Sequence, residues 1–335
     1  MKCTKCDKKA VYSGKGQYYC KSHFLEYFES KVTKTISNYR LLEHNDKVCV
    51  ATSGGKDSLA VLYMTYLYCK KYKIEFFALA IDEGIAGYRD HTLDDLKIFC
   101  KKYEIKLHIV SFKDKFGDTL DNIQEKAIKE LNKKPCTVCG IFRRTLLNRS
   151  ARELGATKLV TGHNLDDEAQ SFMMNTILGN MSHNASLGPI TGLSDNNKFV
   201  PRVKPLYFML EKETRLFALL KGFKVEFTEC PNINMSFRMT VRDELNIIEN
   251  KLPGAKNGVV NAFLEILPLL KEHYRKEKKK KEFNYCIRCN DACSGEICNS
   301  CKLEEELGIS KKKKEKIKRN KDKIVSTKIK KVQKK

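Results

Sequence analysis

Residues 47–58 read KVCVATSGGKDS, a short apolar run followed by a polar turn with two adjacent glycines. The run at 47–52 predicts a buried strand, and the broad apolar face of residues 59–71 predicts that a helix follows the turn. Backbone N–H groups in such a turn, together with the N-terminus of the next helix, can hold a phosphate group. The spacing differs from the GxxxxGK[ST] of a P-loop, which disfavours a hydrolase that acts on a γ-phosphate.

Outward from this stretch, strand-like and helix-like patterns alternate along the chain. Further strands are predicted at 75–81, 106–112, 157–161 and 223–228, helices at 28–44, 93–103, 120–131, 141–154, 165–178 and 257–281, and a loop at 180–197. This alternation predicts an α/β fold with a parallel sheet covered on both faces. Ligands of such sheets bind beyond the carboxyl ends of the strands. Four residues directly follow predicted strands and are expected to meet there: Ser53, Asp82, Gly162 and Cys230.

The charge of the chain favours a polyanionic partner. Among 335 residues, 64 Lys and Arg stand against 41 Asp and Glu, which gives a net charge of +23. The lysine-rich residues 311–335 are predicted to be disordered, yet the rest of the chain is also strongly basic. Nucleic acid is therefore the expected partner, with a merely solvated basic surface as the alternative. No apolar segment approaches the ~20 residues of a bilayer span, and the N-terminus lacks a signal-peptide core, so we expect a cytoplasmic protein without a membrane partner.

Fourteen cysteines in a chain expected to reside in a reducing compartment favour metal ligation over disulfide bonds. Eight residues form two sets of paired ligands: Cys3, Cys6, Cys20 and His23 near the N-terminus, and Cys286, Cys289, Cys298 and Cys301 near the C-terminus. Four soft ligands in this spacing suit tetrahedral zinc, so two structural zinc units are predicted. Cys293 is a spare thiol inside the second set, where it is an alternative ligand.

A third pair of cysteines, Cys136 and Cys139, lies just before the predicted helix at 141–154. Such a pair fits a dithiol redox site or two ligands of an iron–sulfur cluster, and structural zinc with distant partners is the alternative. Cys230 follows the run at 223–228 and is a candidate third ligand. The other thiols fall in apolar-patterned elements and are predicted to be buried in the core: Cys49, Cys69 and Cys100.

Residues 53–58 (SGGKDS) match the signature of the PP-loop ATP pyrophosphatases, which have an adenine nucleotide alpha hydrolase-like fold. Together with both terminal cysteine units, three further segments resemble the tRNA 2-thiouridine synthetases of the TtuA type: 83–89 (EGIAGYR), 135–140 (PCTVCG) and 161–168 (TGHNLDDE). The resemblance spans residues 1 to about 305. It implies a zinc unit over 1–27, a PP-loop ATP-binding domain over 28–253 and a basic helix with a second zinc unit over 254–305. The lysine-rich tail over 306–335, expected to be disordered, lies beyond the resemblance.

The resemblance also implies the cofactors and the site residues. The residues that it assigns to ATP are Ala51, Thr52, Ser53, Gly54, Gly55, Lys56, Asp57, Ser58, Ile81, Arg143 and Gly162. It implies a 4Fe-4S cluster on Cys136, Cys139 and Cys230, and a competing scheme places a persulfide on Cys136 or Cys230 instead. Mg²⁺ is expected at the phosphates, with Asp57 or Asp167 helping to place it or to transfer a proton. Either acid is alternatively only a helix-start residue.

The implied reaction is ATP-dependent 2-thiolation of tRNA, in which O2 of a uridine is adenylated and then replaced by sulfur. The pair Arg143-Arg144 resembles the branch of the family that acts on the wobble uridine, U34. The alternatives are thiolation of U54 or of cytidine, lysidine formation, and a non-catalytic zinc-ribbon protein that binds RNA or senses redox state. The expected partners are tRNA, a sulfur donor (a ubiquitin-like thiocarboxylate protein, a persulfide carrier or free sulfide), and a second copy in a homodimer.

Overall fold

The computed structural model describes residues 1–14, 16–192, 199–224, 230–232, 237–279, 284–293 and 295–309. The strands, in chain order, are β1 (Tyr12–Gly14), β2 (Gln17–Tyr19), β3 (Lys47–Ala51), β4 (Glu75–Asp82), β5 (Leu107–Ser111), β6 (Lys158–Val160), β7 (Ile190–Thr191), β8 (Arg202–Val203), β9 (Asn284–Tyr285) and β10 (Ala292–Cys293). The helices are α1 (Lys21–Asn38), α2 (Lys56–Tyr72), α3 (Arg89–Lys102), α4 (Phe112–Phe116), α5 (Leu120–Leu131), α6 (Pro135–Glu153), α7 (Leu165–Ile177), α8 (Met181–Asn184), α9 (Glu211–Leu220), α10 (Phe237–Lys251), α11 (Ala255–Lys279) and α12 (Asn299–Glu306).

The central sheet has six strands in the order β5-β4-β3-β6-β8-β7. All neighbouring pairs are parallel except β7 and β8, which are antiparallel. The chain runs from β3 to β4 and β5 on one side and returns to β6 on the other side of β3. The expected parallel α/β sheet is confirmed, and the carboxyl ends of β3 and β6 border the switch point where ligands bind in such folds.

Several element boundaries differ from the sequence-based expectation. Helix α1 begins at Lys21 rather than at residue 28, and it carries His23. Helix α6 begins at Pro135, because proline is favoured at the first helical position, and this places Cys136 and Cys139 inside the helix.

The expected loop at 180–197 contains α8 and β7 in its described part, and residues 193–198 lie outside the described residues. Of the strand expected at 223–228, residues 225–229 lie outside them as well, and the described residues 223 and 224 form no strand. The fifth parallel strand of the described sheet is β8 instead.

The sheet is covered on both faces because its central strands present apolar residues to both sides. On β3, Val48 and Val50 join a core with α1, α2, α3 and α9, whereas Cys49 joins the core under α6. The rings of Phe28 on α1 and Phe217 on α9 stack with centroids 4.0 Å apart in the first core. The thiols of Cys49, Cys69 and Cys100 are buried, which confirms their predicted place in the core.

The N-terminal unit is tied to the main domain through a buried carboxylate. The Glu213 side chain on α9 is 2% exposed and forms an ion pair with Lys31 at 3.4 Å. The hydroxyls of Tyr12 and Tyr27 donate to its Oε1 at 2.6 and 3.0 Å. The Tyr12 ring also packs against Phe24, with centroids 4.9 Å apart. The strand pair β1–β2 and the start of α1 therefore pack as one body with α9.

The C-terminal unit is joined to α6 by a charge cluster. Asp291 accepts hydrogen bonds from Arg149 at 2.7 Å and from Arg152 at 2.9 Å. Leu303 of α12 packs in the same core as Phe142 of α6. Polar and apolar contacts together hold this unit beside the carboxyl edge of the sheet.

Replacing Asp291 with asparagine is expected to loosen the C-terminal unit. The amide keeps the shape of the carboxylate but loses the charge that faces two arginines, and hydrogen bonds to charged groups contribute about 1.5–3 kcal/mol each. We expect faster amide hydrogen exchange in residues 284–309 and unchanged exchange in β3 and β4. Asp7→Asn, which breaks an exposed ion pair with Lys2, is the matched control. Exchange equal to that of this control would show that the apolar contacts alone hold the unit.

Among the described residues, no helix combines the length and apolar character needed to cross a membrane. The lysine-rich tail at 311–335 lies outside the described residues.

Candidate active site

A cavity of about 360 Å³ lies beyond the carboxyl ends of β3, β4 and β6, at the switch point of the sheet. Eight of the residues expected at ATP line it: Ala51, Thr52, Ser53, Asp57, Ser58, Ile81, Arg143 and Gly162. The other three, Gly54, Gly55 and Lys56, belong to the same turn but do not line the cavity wall. The cavity volume is in the range of small-molecule sites.

Two glycines permit the close packing of the turn. Gly54 has a φ of +83°, and a Cβ atom on it would stand 2.0 Å from the backbone oxygen of Thr92 on α3. A Cβ atom on Gly162 would stand 3.0 Å from the backbone oxygen of Asp57 in the first turn of α2. Any larger residue at position 54 would need a rare backbone conformation and would force the turn away from α3.

Arg89 contacts the backbone of the glycine turn, and it was not predicted as a site residue from the sequence. Its guanidinium donates to the backbone oxygens of Ser53 (2.5 Å) and Ile81 (3.0 Å from Nε). It is 3% exposed and pairs with Glu83 at 2.9 Å, and Glu83 in turn lies 3.7 Å from Arg143. The only sequence signal was the segment 83–89, which carries both residues but indicates no role for either.

Lys56 and Asp57 form a charge cluster with the start of α9. The Lys56 ammonium lies 2.9 Å from Asp57 and 2.8 Å from Glu211. Burial alone would lower the pKa of Lys56, but these two carboxylates raise it above its ordinary value. Lys56 is therefore a fixed positive charge beside the turn.

Asp167 has a structural role in addition to its place on the cavity wall. Its Oδ2 accepts the backbone N–H of Asn164 at 3.0 Å, and Asn164 Oδ1 accepts the N–H of Asp167, which forms a capping box at the start of α7. Its Oδ1 lies 2.5 Å from Arg238. Asp167 therefore caps the start of α7, as the alternative interpretation expected, and it also lines the cavity.

The surroundings of Asp57 disfavour its charged form. Burial raises its pKa from 3.8 to about 6, Lys56 opposes the increase, and the charge of Asp167 adds to it. The native carboxyl binds its proton more tightly than the unfolded one does. The native state therefore loses stability as the pH rises from about 4 to about 6, and the whole penalty is present above pH 6.

Asp57→Asn is expected to stabilise the protein at pH 7 by about 2 kcal/mol, because the neutral amide avoids the buried charge. The gain should vanish near pH 4, where the native carboxyl is already protonated. Urea unfolding at the two pH values measures this. Asp94→Asn is the control, since Lys97 lowers the pKa of the exposed Asp94 and the change should not stabilise. A gain over the unchanged protein that is no larger at pH 7 than at pH 4 would contradict the assignment.

Several cations on the cavity wall were not predicted from the sequence. They are Arg89, Arg144, Arg202 and Arg238, and His163 lies beside them. Desolvation beside the cavity and the charges of Lys204, Arg238 and Arg202 lower the pKa of His163, although Asp167 opposes this. A neutral histidine among arginines leaves the positive charge of the cavity to the guanidinium groups, which suits a polyphosphate.

The cysteines of the third pair lie next to Cys230. Cys136 and Cys139 both interact electrostatically with the Cys230 thiol, and Arg143 lies beside Cys139 and Cys230. The Cys136 thiol also donates to the backbone oxygen of Asn232 at 3.2 Å. Burial raises the pKa of the free Cys139 thiol to about 12. The predicted third ligand is therefore brought to the predicted pair, one turn of helix from the ATP cavity.

This group of residues fits an iron–sulfur cluster. Three thiols converge, and the neighbouring Arg143 offsets the negative charge that ligation would place there. The buried Nδ2 atom of Asn232 has no hydrogen-bond partner among the described residues, and a cluster sulfur is an acceptor for such a group. The three thiols do not approach one another as closely as the ligands of a single ion do in the two terminal sets.

Each terminal set forms a tight cluster able to bind one metal ion. The ligand atoms of Cys3, Cys6, Cys20 and His23 lie within 4.8 Å of one another, as do those of Cys286, Cys289, Cys298 and Cys301. The Cys3, Cys6 and Cys20 sulfurs all surround Nδ1 of His23, at 3.3, 3.5 and 3.5 Å. Cys293 is outside the second cluster and donates to the backbone oxygen of Gly295 instead.

Comparison with known proteins agrees with this arrangement. A family model described as a PP-loop domain matches residues 24–247. The tRNA 2-thiolation protein NcsA of Haloferax volcanii is 35% identical over 92% of this chain and 99% of its own length. The tRNA-5-methyluridine(54) 2-sulfurtransferase of Pyrococcus horikoshii is 36% identical, with 92% and 96% covered. The cytoplasmic tRNA 2-thiolation protein 1 of Dictyostelium discoideum is 35% identical, with 89% and 81% covered.

A solved structure is similar to this chain over most of its length. The U34-tRNA thiolase NcsA from Methanococcus maripaludis, determined with its 4Fe-4S cluster, superimposes with a TM-score of 0.76 at 35% identity. The match covers 92% of this chain and 96% of the thiolase. From its fold, its cavity and these relatives, we conclude that the chain belongs to the PP-loop family, in the group of the tRNA 2-thiolation proteins.

Proposed function

We propose that the protein 2-thiolates a uridine of tRNA in an ATP-dependent reaction, with the wobble position U34 as the favoured site. The observation that carries this proposal is the position of Arg143. This side chain lines the ATP cavity and also lies beside Cys139 and Cys230, so the nucleotide and the sulfur-handling thiols share one wall. The similarity to a U34-tRNA thiolase supports the choice of position.

The reaction has two balanced steps. The O2 atom of uridine attacks the α-phosphorus of ATP, which forms an adenylated base and releases pyrophosphate. Sulfur at the oxidation level of sulfide then adds to C2 and displaces AMP, which carries the former O2 away. AMP is a much better leaving group than hydroxide, so the first step makes the second possible. The base must leave its stack to be reached, which costs a few kcal/mol.

The chain's own residues bind and orient ATP. Backbone N–H groups at 53–58 and the N-terminus of α2 face the phosphates, and Lys56 supplies fixed positive charge beside them. Asp57 and Asp167 would hold Mg²⁺, which neutralises phosphate charge and favours release of pyrophosphate. Ile81 lies on the apolar part of the wall, where the adenine would lie.

The cysteines would hold the metal groups. Cys136, Cys139 and Cys230 would ligate a 4Fe-4S cluster, which supplies an iron with an open position for sulfur. Arg143 balances the charge of these thiolates. The two terminal sets would each hold one structural Zn²⁺.

The remaining assignments follow from the same reaction. We place the protein in the cytoplasm, where it meets tRNA, and we assign tRNA contacts to both zinc units, to the basic end of α11 and to the lysine-rich tail. The sulfur donor is a ubiquitin-like thiocarboxylate protein, a persulfide carrier or free sulfide, and the enzyme acts as a homodimer. The proposed domains are 1–27, 28–253, 254–305 and 306–335.

The decisive experiment is anaerobic purification followed by metal analysis and a thiolation assay. We expect about four irons and two zinc ions per chain. We also expect ATP-dependent 2-thiouridine in a tRNA transcript, with the thiolated base mapped to position 34. Thiolation at position 54 or of cytidine would correct the substrate. Full activity without iron would replace the cluster by a persulfide scheme, and RNA binding without any thiolated product would refute the proposed reaction.

A further inference from the structure

A second cavity adjoins the ATP cavity, and the proposed reaction gives it no role. Its volume is about 610 Å³, and it lies between α6, β8 and the start of α12. Arg144 and Arg202 line both cavities, so these two side chains form a shared wall. We call this second cavity, with Arg144, Arg202, Phe199, Asn299 and Lys302 on its walls, the arginine groove.

The arginine groove carries positive charge that no carboxylate of the described residues neutralises. In the part of the chain that the structure describes, no carboxylate forms an ion pair with Arg144, Arg202 or Lys302. The acid of this groove, Asp291, is already paired with Arg149 and Arg152.

The two shared arginines also repel each other. Desolvation and the charge of Arg144 lower the pKa of Arg202, and desolvation and the charge of Arg143 lower the pKa of Arg144. Like charges held together in this way are unfavourable until an anion binds between them. Guanidinium groups are suited to phosphate because they can donate two parallel hydrogen bonds.

Two further features of the arginine groove suit a nucleic acid strand. Asn299 and Ser300 begin α12 and line the groove, so the positive end of this eight-residue helix faces it. Phe199 is 42% exposed on the same wall, and a base can stack on an aromatic ring of this kind.

We propose that the arginine groove binds the sugar–phosphate strand of the substrate RNA next to the uridine that enters the ATP cavity. Arg144 and Arg202 would hold the phosphate at the junction of the two cavities, and Lys302 would hold a neighbouring one. This assignment rests on the proposed function and adds the path of the substrate strand. The groove forms between α6 and the C-terminal unit, so the packing of this unit against α6 would create the binding surface.

Charge-removal variants of the anaerobically purified enzyme test this assignment. Lys302→Gln removes a cation that lines only the arginine groove, and Arg202→Gln removes one that both cavities share. Lys106→Gln is the matched control, because Lys106 is exposed just before β5, at the opposite edge of the sheet. The affinity for a tRNA transcript is measured over a range of KCl concentrations, the affinity for ATP is measured separately, and thermal unfolding checks the fold.

We expect Lys302→Gln to weaken tRNA binding about three- to tenfold and to reduce the slope of log K against log salt by about one, with ATP affinity unchanged. Lys106→Gln should change neither quantity appreciably. If both groove variants match this control, the assignment is wrong, and persistent thiolation by the unchanged enzyme would then leave the proposed function intact. Loss of tRNA affinity in an enzyme that never thiolates would instead support the groove and refute the reaction.

Neutral methylphosphonate linkages locate the contact on the RNA. In the unchanged enzyme, a single neutral linkage directly beside the target uridine should weaken binding by at least as much as Arg202→Gln does. In the Arg202→Gln variant, the same linkage should cost less than it does in the unchanged enzyme, because only the contact with Arg144 remains to be lost. Independent, additive losses would place that phosphate elsewhere and overturn the assignment.

Discussion

Cys139→Ser is expected to reduce 2-thiouridine formation at least about 100-fold, since loss even of an outer-shell partner of a metal ligand costs about 10–100-fold. A hydroxyl is a poor ligand for iron, and the two remaining thiols do not hold a cluster by themselves. ATP affinity should stay close to that of the unchanged enzyme, because Cys139 does not line the ATP cavity. Iron content, visible absorption and nucleoside analysis of the tRNA measure the first effect, and calorimetry with ATP measures the second.

The matched control for this variant is Cys293→Ser. Cys293 is also partly buried and donates a hydrogen bond to a backbone oxygen, but it belongs to neither of the terminal clusters nor to the cysteine group beside Arg143. Its replacement should leave iron content and thiolation unchanged. Normal iron content and normal activity in Cys139→Ser would remove Cys139 from the ligand set.

Gly54→Ala is expected to abolish tight ATP binding. The new Cβ atom would stand 2.0 Å from the Thr92 oxygen, and the φ of +83° is unfavourable for alanine. Strain at such a backbone position and the steric overlap together cost about 2–5 kcal/mol. The turn must move away from α3 to relieve this, which breaks the short contact between Arg89 and the Ser53 oxygen. The Kd for ATP should rise at least about tenfold.

Gly55→Ala serves as the control for the fold. At this neighbouring glycine the nearest atom to a new Cβ is Ser53 Oγ at 3.6 Å, which is an ordinary contact. The thermal stability of Gly55→Ala should match that of the unchanged enzyme, whereas that of Gly54→Ala should fall. Equal stability and equal ATP affinity in the two variants would contradict the steric argument.

The parts of the fold that the sequence predicts well are those with long, regular patterns. The strand expected at 47–52 is β3, Lys47–Ala51, and the helix expected at 120–131 is α5. Strand β8 has only two residues, Arg202–Val203, which is too short for any periodic signal. Its partner β6 supplies the register through Leu159 and Val160, and such pairing is visible only in three dimensions.

The site shows the same division between local and long-range information. The glycine turn and the spacings of the two terminal cysteine sets are local sequence patterns, so their individual residues could be named from the sequence. Arg89 donates to Ser53 from 36 residues away, and Arg202 reaches the cavity from a short strand on the far side of β6. Their roles depend on the closed sheet, and no local pattern distinguishes them from the many other cations of this basic chain.

The buried carboxylate of Glu213 joins the N-terminal unit to α9, so this unit and the main domain are not independent of each other. The PP-loop match begins at residue 24, within α1, so a fragment cut to the matched length would lose Tyr12 and all four residues of the N-terminal Cys/His cluster. Glu213 would lose its shortest hydrogen bond while staying two residues from Glu211, which holds Lys56. The N-terminal unit therefore supports α9, and its removal would disturb the ATP cavity through the first turn of that helix.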